Sequence, residues 1–350
     1  MRKKLLFAVS LALAFAVGFG ACLGVDTFLR ARLGTPEETA TPAPAAESPL
    51  PETASPGENI PASSAAPEPL PSVLGTLSHA VEAIIGDASG LWDIYVIDLD
   101  TGKEQRWAET AGGAVTEPQP AASECKLFIA GAVHRRLETA EGESAGAVDR
   151  YLGEMLSKSD NGAANALLAW LGGSELFLLD DASLAAGLEA VNAFCREEGF
   201  AASSMGRSLG AAAESPETEN YTSSADCAAF LARVARGELV SDHASAEILA
   251  DLTAQERRDK IPAGVLGAGW TVANKTGEIL AGDGGYTVTM SWDAAVVSGP
   301  RNYVLVVMAR PAANDQEGYA QAVEMTVRIS QAAFAAFSGQ NLDGGTVAQP

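Results

Sequence analysis

Three short groups of polar residues in this 350-residue chain supply serine and lysine side chains suited to nucleophilic chemistry. They are Ser123-x-x-Lys126, Ser159-Asp160-Asn161 and Lys275-Thr276-Gly277. A lysine whose pKa is lowered by burial or by neighbouring positive charge can take the proton of a serine hydroxyl. If a helix begins near Pro120, Ser123 and Lys126 share one face, and the helix dipole favours developing negative charge. The chemistry indicated is nucleophilic attack by a serine hydroxyl.

The order of the three motifs carries more weight than any one of them. Chance alone gives about one SxxK in a chain of this composition, and an exposed helical lysine near a capping serine is the bland interpretation. SxxK, SDN and KTG in this order are a known set in penicillin-recognising serine enzymes. From residue 76 to residue 337 the chain resembles class A β-lactamase-type serine hydrolases. Supporting matches lie at 98–102, 121–122, 155–168, 269–277 and 293–297.

The resemblance implies a role for each residue of the first two motifs. Ser123 would attack a carbonyl and form an acyl-enzyme, and Lys126 would activate it. Ser159 would relay a proton to the leaving nitrogen. Asn161 would hold the amide side chain of the substrate.

The resemblance also implies roles around the third motif. Lys275 would supply positive field beside Ser159, and Thr276 and Gly277 would contact the substrate carboxylate side. The backbone N–H groups of Ser123 and Glu278 would form an oxyanion hole, usually the largest single catalytic contribution. Neither a metal nor an organic cofactor is needed for this chemistry.

The stretch that should supply a deacylating glutamate departs from the family pattern. Aligning the ends of the loop places the expected glutamate near Leu209, and the loop is about two residues short. Glu214 or Glu217 would have to substitute from a rearranged loop. The bland alternative for both is a solvated acid in an acidic protein.

Two further departures concern the shape and charge of the cleft. Only 36 positions separate Ser123 from Ser159, fewer than family members commonly have, which predicts a more open site. The strand after Gly277 offers no basic residue to hold a substrate carboxylate. Arg257, Arg258 and Lys260 are candidates, and a plain surface charge is the alternative for each.

Periodicity predicts a domain over residues 73–340 that begins and ends with a helix. The expected elements are a helix from Val73, strands at 91–99 and through Trp107, a mostly helical middle (121–237), strands at 270–274, 286–292, 294–298 and 303–308, and a helix over 317–337. This order predicts an α/β (α+β) fold, an antiparallel five-stranded sheet flanked by helices with an all-helical lobe, as in β-lactamases and transpeptidases.

Composition excludes several other classes of protein. A net charge of −22 argues against a nucleic-acid partner, because phosphate backbones need a basic surface. The three histidines form no metal-ligand pattern, so a zinc enzyme is not expected. We expect a monomer that binds a β-lactam or a peptidoglycan-type small molecule.

The N-terminal residues indicate export and attachment to the outer face of the cell membrane. Met1-Arg2-Lys3-Lys4 precedes a long apolar run, so residues 1–33 predict a signal sequence or an uncleaved anchor. A lipid on Cys22 and a freed, secreted chain are the alternatives. Ten of the seventeen prolines fall within residues 34–72, which predicts a disordered stalk, and 341–350 predicts a flexible tail.

The remaining cysteines do not form a disulfide framework. Cys125, Cys195 and Cys227 are an odd number without close spacing. A bridge between Cys195 and Cys227 is one alternative, and three buried free thiols are the other.

Three functions stay open on the sequence. The first is a β-lactam-acylating hydrolase of the class A type that turns over slowly for lack of a deacylating glutamate. The second is a D-alanyl-D-alanine peptidase, or a related cell-wall amidase or esterase, which needs no such residue. The third is a non-catalytic wall-binding or sensor module, although a pure binder would not need all six groups of the three motifs.

Overall fold

The computed structural model describes residues 72–86, 88–110, 113–115, 118–139, 145–211, 215–282 and 286–339, all within one unit, Pro67–Pro350. The predicted anchor, nearly all of the predicted stalk and the predicted tail lie outside these residues. No helix in the described ranges has the length and apolarity that crossing a bilayer requires.

A five-stranded antiparallel sheet forms the centre of the molecule. Its strands, with the four short ones, are β1 (Gly90–Asp98), β2 (Glu104–Trp107), β3 (Glu109–Thr110), β4 (Gly113–Ala114), β5 (Gln119–Pro120), β6 (Tyr221–Thr222), β7 (Thr271–Ile279), β8 (Met290–Ser298) and β9 (Tyr303–Pro311). The order across the sheet is β2-β1-β9-β8-β7, so β7 is an edge strand. Thr276 of β7 lies opposite Asp293 of β8.

Helices cover the sheet and build a separate lobe. They are α1 (Val73–Gly86), α2 (Cys125–Leu137), α3 (Ala145–Ser157), α4 (Asn161–Leu171), α5 (Asp181–Glu198), α6 (Ser224–Ala235), α7 (Asp242–Thr253), α8 (Ile261–Gly264) and α9 (Gln316–Ser338). Short 3-10 turns form at Ala122–Glu124 and Pro216–Thr218. The mixed architecture confirms the predicted fold class.

The sheet is buried on both faces because its central strands are apolar at successive positions. Along β8, Trp292, Ala294 and Val296 face a core shared with the helical lobe. Ala295 and Val297 belong to the opposite core, which α1 and α9 cover. This two-sided burial holds β7, the strand that carries the third motif, in a fixed position.

Two strand predictions need correction. The strand expected to stop before Lys275 continues through the motif to Ile279, and the two strands expected on either side of Asp293 are the single strand β8. Asp293 does not interrupt the strand because its buried carboxylate accepts hydrogen bonds from Asn274 Nδ2 and from the Ile261 backbone, both at 2.9 Å. A buried acid with satisfied acceptors is compatible with a strand interior.

The cysteine alternatives are decided by the structure. Cys125, Cys195 and Cys227 are free thiols, and all three are buried. They therefore pack as small apolar side chains in the lobe core.

Candidate active site

Ser123 lies on the tight turn that leads into α2. The residue before it, Ala122, has φ of 47°, a left-handed conformation that costs a non-glycine residue about 1 kcal/mol or more. The turn is held from outside, because the Ala121 N–H donates to the Asn220 carbonyl at 2.6 Å and β5 pairs with β6. Ser123 therefore lies on the turn just before α2. The sequence predicted instead a helix that begins near Pro120 and contains Ser123.

Lys126 lies in the first turn of α2, with a fully buried side chain. Its Nζ donates to Ser123 Oγ at 3.1 Å, to Ser159 Oγ at 3.2 Å and to Asn161 Oδ1 at 2.7 Å. It also donates to the Ser159 carbonyl at 2.6 Å. The Lys126 ammonium group therefore links the first motif to the second, in which Ser159 and Asn161 lie 33 and 35 positions later in the chain.

The second motif is shaped by the start of α4. Ser159 has φ of 59°, and the next residue, Asp160, caps α4 by accepting a hydrogen bond from the Ala163 N–H at 2.7 Å. Asn161 is then the first helical residue. The left-handed residue and the cap together place Ser159 Oγ and Asn161 Oδ1 beside Lys126.

Lys275 reaches the same serine from the sheet. It is fully buried in β7, and its Nζ donates to Ser159 Oγ at 2.9 Å and to the Thr276 carbonyl at 2.7 Å. Two lysine nitrogens therefore contact a single hydroxyl oxygen, that of Ser159. Thr276 and Gly277 follow in the same strand, and both are buried.

Burial is the main influence on the protonation of both lysines. It lowers the pKa of Lys126 from 10.5 to about 8, and the charge of Arg257 adds to this effect. It lowers the pKa of Lys275 to about 7, with a further contribution from the charge of Lys126. A lysine close to neutrality near pH 7 can accept a proton from a neighbouring hydroxyl.

A cleft of about 240 Å³ opens beside Ser123. Its lining includes three of the predicted site residues, Ser123, Asn161 and Glu278, together with loop residues 207–211 other than Ser208. Thr276 and Gly277 lie in the strand next to this cleft rather than in its lining.

Leu209 occupies the wall of the cleft where the family pattern would place a glutamate. The side-chain amide of Asn165 holds it, because Nδ2 donates to the Leu209 carbonyl at 2.9 Å and Oδ1 accepts from the Leu209 N–H at 2.8 Å. An apolar side chain therefore faces the site from a backbone position fixed at both ends. The sequence comparison of loop ends located Leu209, but it gave no sign of the Asn165 clamp.

Glu217, one of the two candidate deacylating acids, does not join this cluster. Glu217 is exposed on the 3-10 turn Pro216–Thr218 and is not part of the cleft lining. Glu214 lies outside the described residues.

A buried ion pair closes the loop end of the cleft. Arg207 Nη2 donates to Glu219 Oε1 at 2.7 Å, and the Tyr286 hydroxyl donates to Glu219 Oε2 at 2.5 Å. The Arg207 side chain also donates to the Tyr286 hydroxyl. The sequence did not point to Glu219 or Tyr286 as site residues, because no local pattern connects Tyr286 with Glu219 and Arg207, which lie 67 and 79 positions earlier.

Glu278 is a fixed carboxylate at the other side of the cleft. Lys260 Nζ donates to its Oε1 at 3.0 Å, Tyr319 donates at 2.9 Å, and Arg257 pairs with Oε2. Burial alone would raise the pKa of this carboxyl, but these partners lower it to about 2. The expectation of plain surface charges is wrong for Lys260, which is completely buried. Arg258 is held too, by the Val272 carbonyl and by Asn274.

Metal ligation has no support in the described ranges, where no three His, Cys, Asp or Glu side chains cluster suitably for an ion. The side chains at the site are instead hydroxyls, amines and an amide.

The fold and the serine–lysine arrangement define the class of β-lactamase-type serine hydrolases. Residues 144–337 match the Beta-lactamase enzyme family, and the chain belongs to that family.

Solved structures show the same fold at low sequence identity. A β-lactamase from Sphaerobacter thermophilus is 21% identical with a TM-score of 0.58, covering 76% of this chain and 98% of its own. An ancestral class A β-lactamase is 22% identical with a TM-score of 0.58, covering 75% and 100%. A mutant of PBP-A, an acyl-enzyme complex with penicillin G, is 22% identical with a TM-score of 0.57, covering 77% and 100%. No curated protein matches the chain.

Proposed function

We propose that this protein is an exported serine hydrolase that is acylated by β-lactams or related amides and releases the acyl group slowly. The observation that carries the proposal is the contact of Ser123 Oγ with the buried Lys126 Nζ at 3.1 Å. A buried amine next to a cleft-lining hydroxyl is the arrangement that serine activation by lysine requires.

The acylation step uses the two lysines in different ways. The neutral amine of Lys126 takes the proton of Ser123 while Oγ forms a bond to the substrate carbonyl carbon. The C–N bond then breaks, and the leaving nitrogen takes a proton through Ser159 Oγ, which both lysine nitrogens contact. Lys275 favours negative charge at that oxygen. The backbone N–H groups of Ser123 and Glu278 are the proposed donors to the substrate oxyanion.

Slow deacylation follows from the residue at the expected base position. Hydrolysis of the acyl-enzyme needs a base to activate water, and Leu209 cannot act as one. Glu217 is exposed elsewhere on the loop. We therefore expect an acyl-enzyme that persists.

A D-alanyl-D-alanine peptidase is the second candidate. The presence of Leu209 where the deacylating glutamate is expected favours it. Such an enzyme needs the serine and both lysines but no glutamate in place of Leu209. The similarity to PBP-A, a protein acylated by penicillin G, supports this candidate at the level of the fold. Export to the wall, where either substrate would be met, rests on the N-terminal sequence alone.

Intact-mass spectrometry of the full chain mixed with benzylpenicillin tests the proposal directly. We expect an adduct that lasts and that Ser123→Ala abolishes. Ser157→Ala is a matched control, because its hydroxyl only donates to the Gly153 carbonyl in α3, and it should be labelled like the wild-type chain.

The outcomes separate the candidates. Rapid appearance of hydrolysed penicillin without a lasting adduct would contradict slow deacylation. Release of D-alanine from a D-alanyl-D-alanine peptide would select the peptidase. The absence of both adduct and hydrolysis would overturn the acylation proposal and favour a wall-binding module.

A further inference from the structure

Glu124 is a fully buried carboxyl group next to the proposed nucleophile. It occupies the second position of the Ser-Glu-Cys-Lys motif, and its side chain has no exposed surface. Within the described part of the chain no N–H or O–H group donates to its carboxyl oxygens, and the side-chain hydrogen bond that lowers its pKa comes from the thiol of Cys227, a weak donor. Since an unsatisfied buried carboxylate is expensive, a group in this position needs an explanation.

The carboxyl lies beneath the strand that carries the third motif. A Cβ atom placed on Gly277 would be 3.0 Å from Glu124 Cγ and 3.3 Å from Ala122 Cβ. The absence of a side chain at Gly277 therefore lets β7 pass directly over Glu124. Lys275 is two residues earlier in that strand, and it is also fully buried.

Charged and titratable groups from several elements face this carboxyl. They are Lys275 on β7, Asp293 on β8, Lys260 before α8, and Cys227 on α6, with Lys126 and Cys125 following it on α2. Lys275 exerts the strongest of the charge effects on it. The hydrogen-bond acceptors of Lys275 are neutral oxygens, so its charge is stabilised by the buried acids Glu124 and Asp293, and Glu124 has the larger effect.

We propose that Glu124 is a positioning residue that sets the protonation of Lys275 from beneath the site. This inference rests on the proposed acylation chemistry. Glu124 does not reach the cleft, so it acts through Lys275, whose ammonium group contacts Ser159 Oγ. When the carboxyl ionises, its negative charge stabilises the Lys275 ammonium. When it is protonated, that support is absent.

The titration of the two groups agrees with this arrangement. Burial raises the pKa of the Glu124 carboxyl, and the attraction of the Lys275 ammonium group opposes that increase. Burial lowers the pKa of Lys275, and the Glu124 carboxylate opposes that decrease. Near neutral pH the pair therefore exchanges protons with solvent as a coupled unit.

The test compares the pH profile of acylation by benzylpenicillin in the full-length wild-type chain, Glu124→Gln and Glu124→Met. Without the carboxylate, Lys275 loses its proton more easily. The alkaline limb of the acylation rate should then move to lower pH by about one unit, a usual size for neighbouring charges. Methionine should give the same shift, because the only hydrogen bond that it would break is the weak one from the Cys227 thiol.

Asp251→Asn is the matched control, since it removes a half-buried acid whose pKa is also raised but which lies away from the site, on α7 near Glu247 and Asp149. It should leave the alkaline limb where it is in the wild-type chain. An unchanged limb in the Glu124 variants would overturn the proposal. So would failure of both variants to fold, because Glu124 would then be a structural residue.

The pH dependence of thermal unfolding is a readout that needs no activity. The raised pKa means that the folded chain holds the Glu124 proton above the unfolded pKa of 4.5, so this contribution to stability is lost as the pH rises through the raised folded pKa. The midpoint should fall more steeply over this range in the wild-type chain than in Glu124→Gln. If the wild-type chain is not acylated at all, the proposed function fails. The comparison of unfolding midpoints between the wild-type chain and Glu124→Gln then tests the titration of Glu124 by itself. Equal slopes of the unfolding midpoint against pH in the two chains would overturn the proposed role of Glu124.

Discussion

Removal of Arg207 should destabilise the protein far more than removal of an exposed arginine. The Arg207 side chain is 15% exposed and that of its partner Glu219 is 7% exposed. Breaking a buried ion pair from one side typically costs about 3–5 kcal/mol, because an uncompensated charge stays behind. Two donors to Glu219 survive in Arg207→Ala, the Asn220 N–H at 2.7 Å and the Tyr286 hydroxyl at 2.5 Å. We therefore expect the lower end, about 3 kcal/mol.

Urea unfolding of the full chain measures this cost against a suitable control. Arg196→Ala removes an arginine that pairs with Glu189, but their side chains are 63% and 66% exposed. Exposed pairs contribute only a few tenths of a kcal/mol. The difference between the two variants thus isolates the effect of burial.

A double-mutant cycle then assigns the cost to the pair. Glu219→Gln removes the charge that Arg207→Ala leaves unpaired, so the two changes together should cost less than their sum by about 1–3 kcal/mol. Arg207→Ala should also slow acylation, since Arg207 and Tyr286 both line the cleft. A loss for Arg207→Ala no larger than that for Arg196→Ala would refute the reasoning.

Three further predictions concern single side chains. Leu209→Glu should shorten the lifetime of the acyl-enzyme, measured by decay of the mass adduct, whereas Leu209→Gln should not; equal lifetimes would contradict this explanation of slow deacylation. Tyr286→Phe should lower the free energy of unfolding by about 1 kcal/mol, because the hydroxyl shared by Arg207 and Glu219 is lost. Burial raises the pKa of Asp251 from 3.8 to about 6, so its contribution to stability is complete below about pH 4 and lost as the pH rises through 6. Asp251→Asn should make the melting temperature less dependent on pH over that range. An unchanged pH dependence would refute the assignment of this contribution to Asp251.

The sequence predicted the sheet and the grouping of the three motifs, for different reasons. Strands and helices follow from local periodicity, which is why α1 begins at the expected residue, Val73, and α9 begins and ends within one residue of the expected range 317–337. The contact of Ser159 with Lys275 joins residues 116 positions apart, and no local pattern predicts it. Only the family resemblance indicated that these residues would meet.

Local sequence patterns could not predict the positions of residues that are held by polar contacts inside the fold. Asp293 looked like the end of a strand because hydropathy assigns a lone acid to the surface. Its burial depends on Asn274 and the Ile261 backbone, which only the folded chain brings near. Leu209 is fixed in the same way by Asn165, 44 positions earlier.

The charge at the site is set by what surrounds the lysines rather than by the charge of the whole protein. The chain carries a net charge of −22, yet the hydrogen-bond acceptors of Lys126 and Lys275 are serine, threonine and asparagine oxygens. The carboxylate of Glu278 lies beside the same cleft, but Lys260 and Arg257 neutralise it. Distant surface acids are screened within about 10 Å at ordinary salt, so they have little effect on a buried ammonium group. The electrostatic field at Ser159 is therefore set locally, by the protonation of Lys126 and Lys275 and by their immediate neighbours.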